Sequence, residues 1–514
     1  MKKHRMMNAG IVIMLMALAL FMSTLFGNSY MLTSRSLYLS VNNHEHLTNI
    51  EPAVSWMKNK NYTSLFSFIH DFRESVRSYN RSSKEAKMWT DIIYADYTFK
   101  VVKNSCTGWV RYHKFPLLIT ILCLLVTGAG LFLTAKYYHV PKGIKNDHIF
   151  FSKVTARGLF GILLGSLLIL FYIVLYFRPE YIAPWVILVS GVSRLLSGRE
   201  ASQWFLYGML YTVAVLVLGV RMLLKYRGNR YQQFRTVSVM FFQTSFAFII
   251  PEILMALNQP WYDFKNIWPL NYSFFYDYNL HSYTSGAALG WFMLFWGIAL
   301  IVLGVPVMTY FYGKRWYCSW VCGCGGLAET LGDPFRQLSS KTLRSWKIER
   351  WIVHSVLVLV TIMTIVTLVN YFSEYKLLGH ETRILHRIYG FFIGSIFAGV
   401  VGTGFYPLMG NRVWCRFGCP LAAYLGLVQR FKSRFRITTN GGQCISCGNC
   451  STYCEMGIDV RWYAQRGQNI VRSSCVGCGV CSAVCPRGVL KLENAEEKTR
   501  FAFHPIGEKR EKVS

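Results

Sequence analysis

The chain has 514 residues, of which 53% are hydrophobic and 16% are charged, and its mean hydropathy is +0.28. This composition excludes an ordinary water-soluble domain. The formal net charge of +30 could indicate nucleic acid binding. However, lysine and arginine are concentrated in alternate loops between apolar stretches, which is typical of a multi-pass membrane protein. We therefore expect a lipid membrane as partner and no nucleic acid.

The first predicted element is a signal-anchor helix over residues 1–27, in which a basic start, MKKHR, precedes an apolar run. A cleaved signal peptide has the same beginning. The apolar run is long and no clear small-residue cleavage site follows it, so an uncleaved anchor is favoured. Residues 28–115 are predicted to form a small helical extracytoplasmic domain with amphipathic stretches such as 64–76, and its function cannot be read from its residues.

Residues 116–436 are predicted to form a seven-helix membrane domain that carries cysteine motifs in cytoplasmic loops. Together with the anchor this gives eight apolar stretches, since a bilayer-spanning helix needs about 20 residues. The stretches lie near 10–27, 116–135, 159–177, 201–220, 236–257, 288–312, 351–371 and 389–409. The loops at 136–158 (with Lys142, Lys145 and Lys153), 221–235, 313–350 and 410–436 are basic, whereas loop 258–287 has only Lys265 and many Trp and Tyr residues. This alternation predicts that both termini are cytoplasmic.

One acidic residue interrupts the fifth apolar stretch. Glu252 follows Pro251 toward the predicted outer end. Ionisable residues within membrane segments are functional candidates. Glu252 could accept protons from a quinol, or it could simply reach the outer interface, and the sequence leaves both open.

Two cysteine groups follow membrane stretches on the predicted cytoplasmic side. The first reads RWYCSWVCGCGG and contains Cys318, Cys322 and Cys324; the second reads RVWCRFGCPLAA and contains Cys415 and Cys419. Aligning Arg315 with Arg412 superposes the two groups as a weak internal repeat. In a helix, the i, i+4 spacing would place both thiols of a pair on one face. These thiols could hold a further metal centre, cycle between dithiol and disulfide, or be structural.

The segment 437–495 contains one cysteine pattern twice, and a polar tail, 496–514, follows it. Each copy reads C-x2-C-x2-C-x3-C, the ligand pattern of a [4Fe-4S] cluster; the copies comprise Cys444, Cys447, Cys450 and Cys454, and Cys475, Cys478, Cys481 and Cys485. In two-cluster ferredoxins the fourth cysteine binds the other cluster. We therefore predict one cluster on Cys444, Cys447, Cys450 and Cys485, and the other on Cys475, Cys478, Cys481 and Cys454.

Two other interpretations of this segment are weaker. Zinc also takes four cysteines from paired knuckles but does not call for the third closely spaced cysteine. Disulfides are not expected in a reducing compartment. The first copy has Glu455 where the second has Pro486, a change that could alter solvent access or reduction potential but removes no ligand.

The paired cysteine groups and the twin cluster motif, over roughly residues 280–490, resemble the NapH/NosR/CcoG-like membrane polyferredoxins. The resemblance implies electron transfer across or along a bacterial inner membrane. Its C-x3-C-P motif is altered at the first group, where Gly323 replaces proline and Cys324 is added. Some members carry covalent flavin on a threonine, but Ser285-Gly286-Ala287 is followed here by Ala288. We predict no covalent flavin, and no haem, since His354 alone lies in a span.

The predicted fold is thus an integral membrane all-α bundle with a C-terminal α+β two-cluster bacterial-type ferredoxin module. We predict that it relays electrons between the quinone pool or a membrane partner and a redox partner protein, as a component of an oxidoreductase system rather than a stand-alone enzyme. The alternatives are an assembly factor that reduces a metal or disulfide for another redox enzyme, and a membrane redox sensor.

Overall fold

The computed structural model describes residues 2–137, 157–285, 288–379, 381–440 and 443–494. The predicted tail 496–514, the lysines of loop 136–158 other than Lys136, and Gly286 and Ala287 of the flavin-like motif lie outside these ranges. The chain divides into two compact units, one comprising residues 1–141, 170–213 and 252–258, the other residues 142–169, 214–251 and 259–514.

The predicted number of membrane-capable helices is confirmed in the described ranges, because eight helices are long and apolar enough to cross a bilayer. They are Lys3–Ser23, Lys114–Tyr137, Leu159–Phe177, Gln203–Lys225, Arg230–Ala256, Ala288–Tyr312, Leu343–Phe372 and Thr382–Gly404. The first and last begin about seven residues earlier than the apolar runs that predicted them, since polar residues continue the helical backbone beyond the apolar window.

The N-terminal helix packs along the helix Lys114–Tyr137 through two glycines. A Cβ atom added to Gly10 would lie 2.7 Å from the carbonyl oxygen of Gly128, and one added to Gly128 would lie 2.9 Å from that of Gly10. Small residues allow two membrane helices to approach this closely. The two backbones are therefore in direct contact at this crossing.

Between these two helices, the first unit contains a small, mainly helical region. Its longest helix, Leu65–Glu85, begins at Ser64, whose side chain accepts a hydrogen bond from Ser67 N, and it buries Phe68, Ile69 and Phe72. Two short strands, β1 (Tyr30–Met31) and β2 (Asn61–Tyr62), pair antiparallel. The other helices of this unit are Ser34–Ser40, His44–Ala53, Ser55–Met57, Trp89–Asp91, Thr98–Ser105, Trp109–Tyr112, Pro179–Ile182 and Ala183–Ser197.

The second unit contains the later membrane helices and the cysteine-rich segments. Three described membrane helices are locally widened to π-helix, at Ser245–Ile249, Leu300–Gly304 and Gly390–Val401. Such widened turns are frequent at functional sites. Shorter helices follow or connect the spans: Asp277–Thr284, Arg315–Cys318, Gly323–Thr330, Asp333–Leu338, Tyr406–Met409, Trp414–Gly418 and Pro420–Lys432.

The C-terminal module is built on a two-stranded antiparallel sheet that encloses both cysteine motifs. Strand β3 (Phe435–Thr439) follows the helix Pro420–Lys432 directly, and Thr439 pairs with Leu490 of β4 (Leu490–Asn494). The motifs between the strands carry the short helices Asn449–Thr452, Val460–Gln465 and Val480–Ala483. This arrangement of small sheet and helices agrees with the predicted ferredoxin-type fold.

Candidate functional site

The first motif of the module surrounds a small cavity. Three of its four cysteines, Cys444, Cys447 and Cys450, line this cavity together with Cys485 of the second motif. Gly448 has a φ of +79°, which lets the loop turn inward before the helix Asn449–Thr452 begins. The four sulfurs thus stand around one space, three from a tight loop and one from the other motif.

The second motif forms an equivalent small cavity. Its wall contains four cysteines, Cys454, Cys475, Cys478 and Cys481. Gly477 and Gly479 have φ values of +63° and +70°. The structure therefore brings together the same two sets of four cysteines that the sequence predicts as ligand sets.

The two cavities suit a multi-iron cluster in their donors, since four cysteines line each of them. Among the described residues, no three His, Cys, Asp or Glu side chains converge closely enough to hold a single metal ion. All 15 cysteines lie in the described ranges and are free thiols. Ile458 N donates to Cys454 Sγ at 3.3 Å, a type of contact that tunes cluster sulfurs. Four cysteine sulfurs are the donor set that a four-iron cage needs at its corners.

The two cavities differ in exposure. Cys447 is exposed and Cys444 is half-buried, whereas Cys475, Cys478 and Cys481 are buried. Burial raises the pKa of the Cys475 thiol to about 11. We call the cavity of Cys444 the outer cavity and that of Cys475 the inner cavity.

The inner cavity is fixed to the helix that begins at Arg230. Gln232 Nε2 and Arg235 Nη1 donate to the carbonyl oxygen of Cys478 at 2.7 Å and 2.9 Å, and Tyr231 Oη donates to that of Gly477 at 2.8 Å. Ser319, next to Cys318, donates to the carbonyl oxygen of Val476 at 2.8 Å. The second motif therefore rests directly on the membrane helices and on the first cysteine group.

The two membrane-proximal cysteine groups adopt the same backbone geometry. Cys322 N donates to the carbonyl oxygen of Tyr317 at 2.8 Å, and Cys419 N donates to that of Trp414 at 2.9 Å. Each cysteine then stands immediately before a helix, Gly323–Thr330 or Pro420–Lys432. The repeat proposed from Arg315 and Arg412 thus extends to equivalent hydrogen bonds and helix starts.

This geometry identifies Cys322 as the counterpart of Cys419. Cys419 Sγ accepts a hydrogen bond from Ala422 N at 3.4 Å, and the thiol of Cys322 interacts in the same way with the amide of Gly325. Cys324 aligns with Leu421 and is the additional thiol. The helical arrangement considered for the i, i+4 spacing does not apply to the first group, because Cys318 ends one helix and Cys322 precedes another.

The five thiols belong to one buried core. Cys318, Cys322, Cys415 and Cys419 are members of a single hydrophobic cluster, and Cys324 packs against it. Burial raises the pKa of the Cys318 thiol to about 12. A hydrogen bond with Cys324 lowers the pKa of Cys322 against the effect of burial.

A buried network of charged residues, which the sequence analysis did not identify, lies beside this core. Arg412 Nη1 donates to Cys415 Sγ at 3.7 Å, and Arg412 Nη2 forms ion pairs with Glu329 and with Glu455, the latter at 3.0 Å. Arg336 also pairs with Glu455, at 3.1 Å, and Arg235 with Glu329, at 3.0 Å. The signal available in the sequence was Glu455 itself, a carboxylate where proline is usual.

Glu252 belongs to the first compact unit, whereas both cysteine groups and both cluster motifs belong to the second. It is buried, with 9% of its surface exposed, and its carboxylate interacts with the hydroxyl of Ser197, which belongs to the same compact unit. Ser197 Oγ in turn donates to the carbonyl oxygen of Ser193 at 2.9 Å. The side chain is therefore held inside the protein by a polar partner.

Comparisons with protein families identify both cysteine regions. A family described as "4Fe-4S dicluster domain" matches residues 443–490, and one described as "4Fe-4S binding domain" matches residues 292–342 and 389–438. The latter two matches coincide with the two halves of the internal repeat. Iron–sulfur binding, rather than zinc or disulfide, is thus supported for the module.

One curated relative is a protein of Escherichia coli (strain K12) named "Putative electron transport protein YccM". It is 26% identical over 171 residues, which are 32% of this chain and 47% of that protein. The chain therefore spans about half the length of this relative. No solved structure matches the chain.

Proposed function

We propose that this chain, a membrane polyferredoxin with 4Fe-4S binding domains, relays single electrons between a membrane donor and a redox partner protein. The observation that carries the proposal is the pair of four-cysteine cavities with unequal exposure. The inner cavity rests on the membrane helices, and the outer one opens to solvent at Cys447. Such an arrangement gives the electron an entry on one side and an exit on the other.

The residues of each cavity fit one [4Fe-4S] cluster. Cys444, Cys447, Cys450 and Cys485 would hold the outer cluster, and Cys475, Cys478, Cys481 and Cys454 the inner one. When bound, each cluster supplies a one-electron couple whose potential depends on burial and on hydrogen bonds to the sulfurs. Cys450 lies in the short helix Asn449–Thr452, Cys454 follows that helix, and the two belong to different sets, so about one turn of backbone joins the two sites.

The chain's own residues keep the inner site dry and positively polarised. Cys478 is buried, and its carbonyl oxygen accepts from Gln232 and Arg235. A nearby cationic side chain favours the reduced, more negative form of a cluster. The inner cluster is therefore suited to accept an electron from the membrane side.

The membrane donor in this proposal is a quinol or a membrane partner. We also propose that the protein resides in a bacterial inner membrane, with the ferredoxin module in the cytoplasm. The alternation of basic and aromatic loops supports this orientation. Glu252, a buried carboxylate bonded to Ser197, is the candidate acceptor for protons released from a quinol. The printed name of the Escherichia coli relative, an electron transport protein, agrees with relay.

A second candidate function is assembly or maturation of another redox enzyme by reduction of a metal or disulfide. The observation that favours it is the group of five thiols, four of them buried, which is more than a two-cluster relay requires. A membrane redox sensor is the third candidate and would need cluster oxidation to change the conformation rather than to carry flux.

The test is EPR spectroscopy of anaerobic membranes. Addition of quinol should produce the signals of reduced clusters, and a redox partner fraction added next should remove them. A Glu252→Gln variant should slow the quinol step while dithionite still reduces the clusters fully. If quinol leaves wild-type clusters oxidised while dithionite reduces them, the quinol relay is wrong. If the clusters turn over only with a metal or disulfide substrate, the assembly function is correct instead.

A further inference from the structure

We infer that Cys318, Cys322, Cys415 and Cys419 bind a third iron–sulfur cluster, within the bundle beneath the ferredoxin module. The inference deepens the proposed electron relay and rests on it. It concerns the four thiols that the internal repeat places in equivalent positions, two from each half.

The first argument is the symmetry of the two halves. Cys322 and Cys419 share the same amide bond to a carbonyl five residues earlier, at 2.8 Å and 2.9 Å, and both stand at the start of a helix. Gly313 and Gly410 have positive φ values, +64° and +97°, at the equivalent point before each group. Two related half-sites that each offer two thiols supply the four ligands that a cluster needs.

The second argument is the proximity of the four sulfurs. All four cysteines lie in one buried core, and each pair among them is close enough to interact electrostatically. Backbone and side-chain N–H groups point at the sulfurs: Ala422 N to Cys419 at 3.4 Å and Arg412 Nη1 to Cys415 at 3.7 Å. Donors of this kind surround metal-bound thiolates.

The third argument is an excess of buried positive charge around the thiols. Lys314 is 2% exposed, and its Nζ donates only to the carbonyl oxygens of Ala422 and Ser473, at 3.2 Å and 2.8 Å; in the described ranges no carboxylate forms an ion pair with it. Glu349 acts electrostatically on Lys314 but forms its ion pair with Arg416. Burying an ammonium that lacks an ion pair of its own is costly. Lys314 also acts electrostatically on both Cys318 and Cys415, so a cluster of four thiolates would place compensating negative charge beside it.

A structural or dithiol role accounts for less of this geometry. A dithiol couple needs two thiols, and the Cys322–Cys324 pair alone could provide it. It would leave the matched positions of Cys318, Cys415 and Cys419 without a purpose. Cys324, by contrast, has Leu421 as its counterpart, so we place it beside the cluster as a neighbour of Cys322 and not as a ligand.

A segment that packs against the thiols, residues 259–285, precedes the membrane helix Ala288–Tyr312, whereas the first cysteine group follows that helix. Residues 259–285 connect the end of one membrane helix at 256 to the start of the next at 288, whereas Cys318 follows the far end of that next helix. Nevertheless Tyr317 Oη donates to the carbonyl oxygen of Lys265 at 2.9 Å, and Ile267 lies in the same core as the cysteines. The site is therefore enclosed between segments from both ends of the bundle.

The third cluster would adjoin the inner cavity. Ser319 follows Cys318 and donates to the carbonyl oxygen of Val476, which follows Cys475. One hydrogen bond of 2.8 Å thus joins the two ligand loops. The resulting order is third cluster, inner cluster, outer cluster, from the interior of the bundle to the exposed Cys447.

The experiment is iron analysis with Mössbauer and EPR spectroscopy of the full chain, purified without oxygen and reconstituted with iron and sulfide. Wild type should hold about twelve iron atoms if the third cluster has four irons, or about ten if it has two, against about eight for the ferredoxin module alone. The double variant Cys415→Ser/Cys419→Ser should fall to about eight and keep the module's signals. The matched control, Cys324→Leu, should keep the wild-type iron content because it restores the residue of the other half.

A second variant covers the case in which the first does not accumulate in membranes. Cys447→Ser/Cys478→Ser removes one ligand from each module cluster, and residual iron with a cluster spectrum would then come from the third site. Wild type with about eight iron atoms, or a Cys415→Ser/Cys419→Ser variant that keeps the wild-type content, overturns the inference. A Cys322–Cys324 disulfide in iron-replete wild type also overturns it. A failure of quinol to reduce the clusters, with iron content as expected, counts against the relay and leaves the third cluster standing.

Discussion

Arg412 Nη2 lies 3.0 Å from Glu455 Oε1, and neither side chain reaches solvent. Glu455 follows Cys454 of the first motif, and Arg412 precedes Cys415 by three residues. The ion pair therefore joins a proposed ligand of the inner cluster to the membrane-proximal thiols. Burial alone would raise the pKa of Glu455, but Arg412 and Arg336 outweigh it and lower that pKa.

The first prediction concerns this ion pair. Glu455→Gln should lower the free energy of unfolding by about 3 kcal/mol, because it removes the carboxylate that two buried guanidinium groups share. Among the described residues, Arg412 then keeps only Glu329, and Arg336 only Asp333, as an ion-pair partner. Denaturant titration of the detergent-solubilised protein measures this change. The control is Glu374→Gln, which removes a surface ion pair with Lys376 in which both side chains are more than three-quarters exposed. Its free energy of unfolding should fall by about 0.5 kcal/mol or less.

Equal losses in Glu455→Gln and Glu374→Gln would show that the buried pair contributes nothing beyond a surface contact. Preserved stability combined with a shifted potential of the inner cluster would assign Glu455 an electrostatic role only.

The helices and the two sets of cysteines that share a cavity could be predicted from the sequence because each depends on a local pattern. Apolar runs predict the spans, and the spacing of Cys444 to Cys485 predicts which thiols share a cavity. The network around Glu329, Arg336 and Arg412 could not be predicted, since its members lie far apart in the chain and only the fold brings them together. A buried charge looks in the sequence like any charge in a basic loop.

The geometry of the first membrane-proximal group was out of reach for a similar reason. A C-x3-C spacing predicts one face of a helix, but Cys322 N bonds to the carbonyl oxygen of Tyr317, five residues earlier, and the chain then restarts as a new helix. Aligning Arg315 with Arg412 superposes Cys322 on Cys419, and the equivalent backbone hydrogen bonds support this match over one with Cys324.

The second prediction tests the crossed ligand sets. Cys485→Ser should remove the same EPR signal as Cys444→Ser, and Cys454→Ser should remove the same signal as Cys475→Ser, each with a loss of about four iron atoms. The reason is that Cys485 lines the cavity of Cys444, and Cys454 that of Cys475. Cys123→Ser, at an exposed cysteine of a membrane helix, is the control and should lose no iron. Matching signals for Cys485→Ser and Cys475→Ser would refute the crossed sets.

The third prediction concerns the potential of the inner cluster. Gln232→Ala removes a donor to the carbonyl oxygen of Cys478 and should lower the reduction potential. One hydrogen bond is worth about 1 kcal/mol, or about 40 mV for a one-electron couple. Gln233→Ala is the control, since Gln233 Nε2 donates to the carbonyl oxygen of Arg227 instead. An EPR-monitored redox titration should show a shift in Gln232→Ala only; identical potentials in both variants would contradict it.

The fourth prediction compares two glycines with the same φ of +63°, Gly477 and Gly488. A Cβ atom added to Gly477 would lie 2.6 Å from Arg315 Cβ and 3.0 Å from Phe435 Cζ, whereas nothing lies within 4 Å of one added to Gly488. Both alanine variants pay the cost of a left-handed conformation, about 1–2 kcal/mol. Only Gly477→Ala must also displace its neighbours, and Arg315 Cβ cannot move without its backbone.

Gly477→Ala should therefore destabilise the protein by about 3 kcal/mol or more, the conformational cost plus the cost of overpacking. It should also diminish the EPR signal of the inner cluster, because Gly477 lies between Cys475 and Cys478. Gly488→Ala should keep both cluster signals, and its stability should fall only by the cost of the left-handed conformation. Denaturant titration and EPR spectroscopy of the two variants separate these effects. If both variants unfold at the same denaturant concentration, the second motif does not pack against Arg315 as closely as the structure shows.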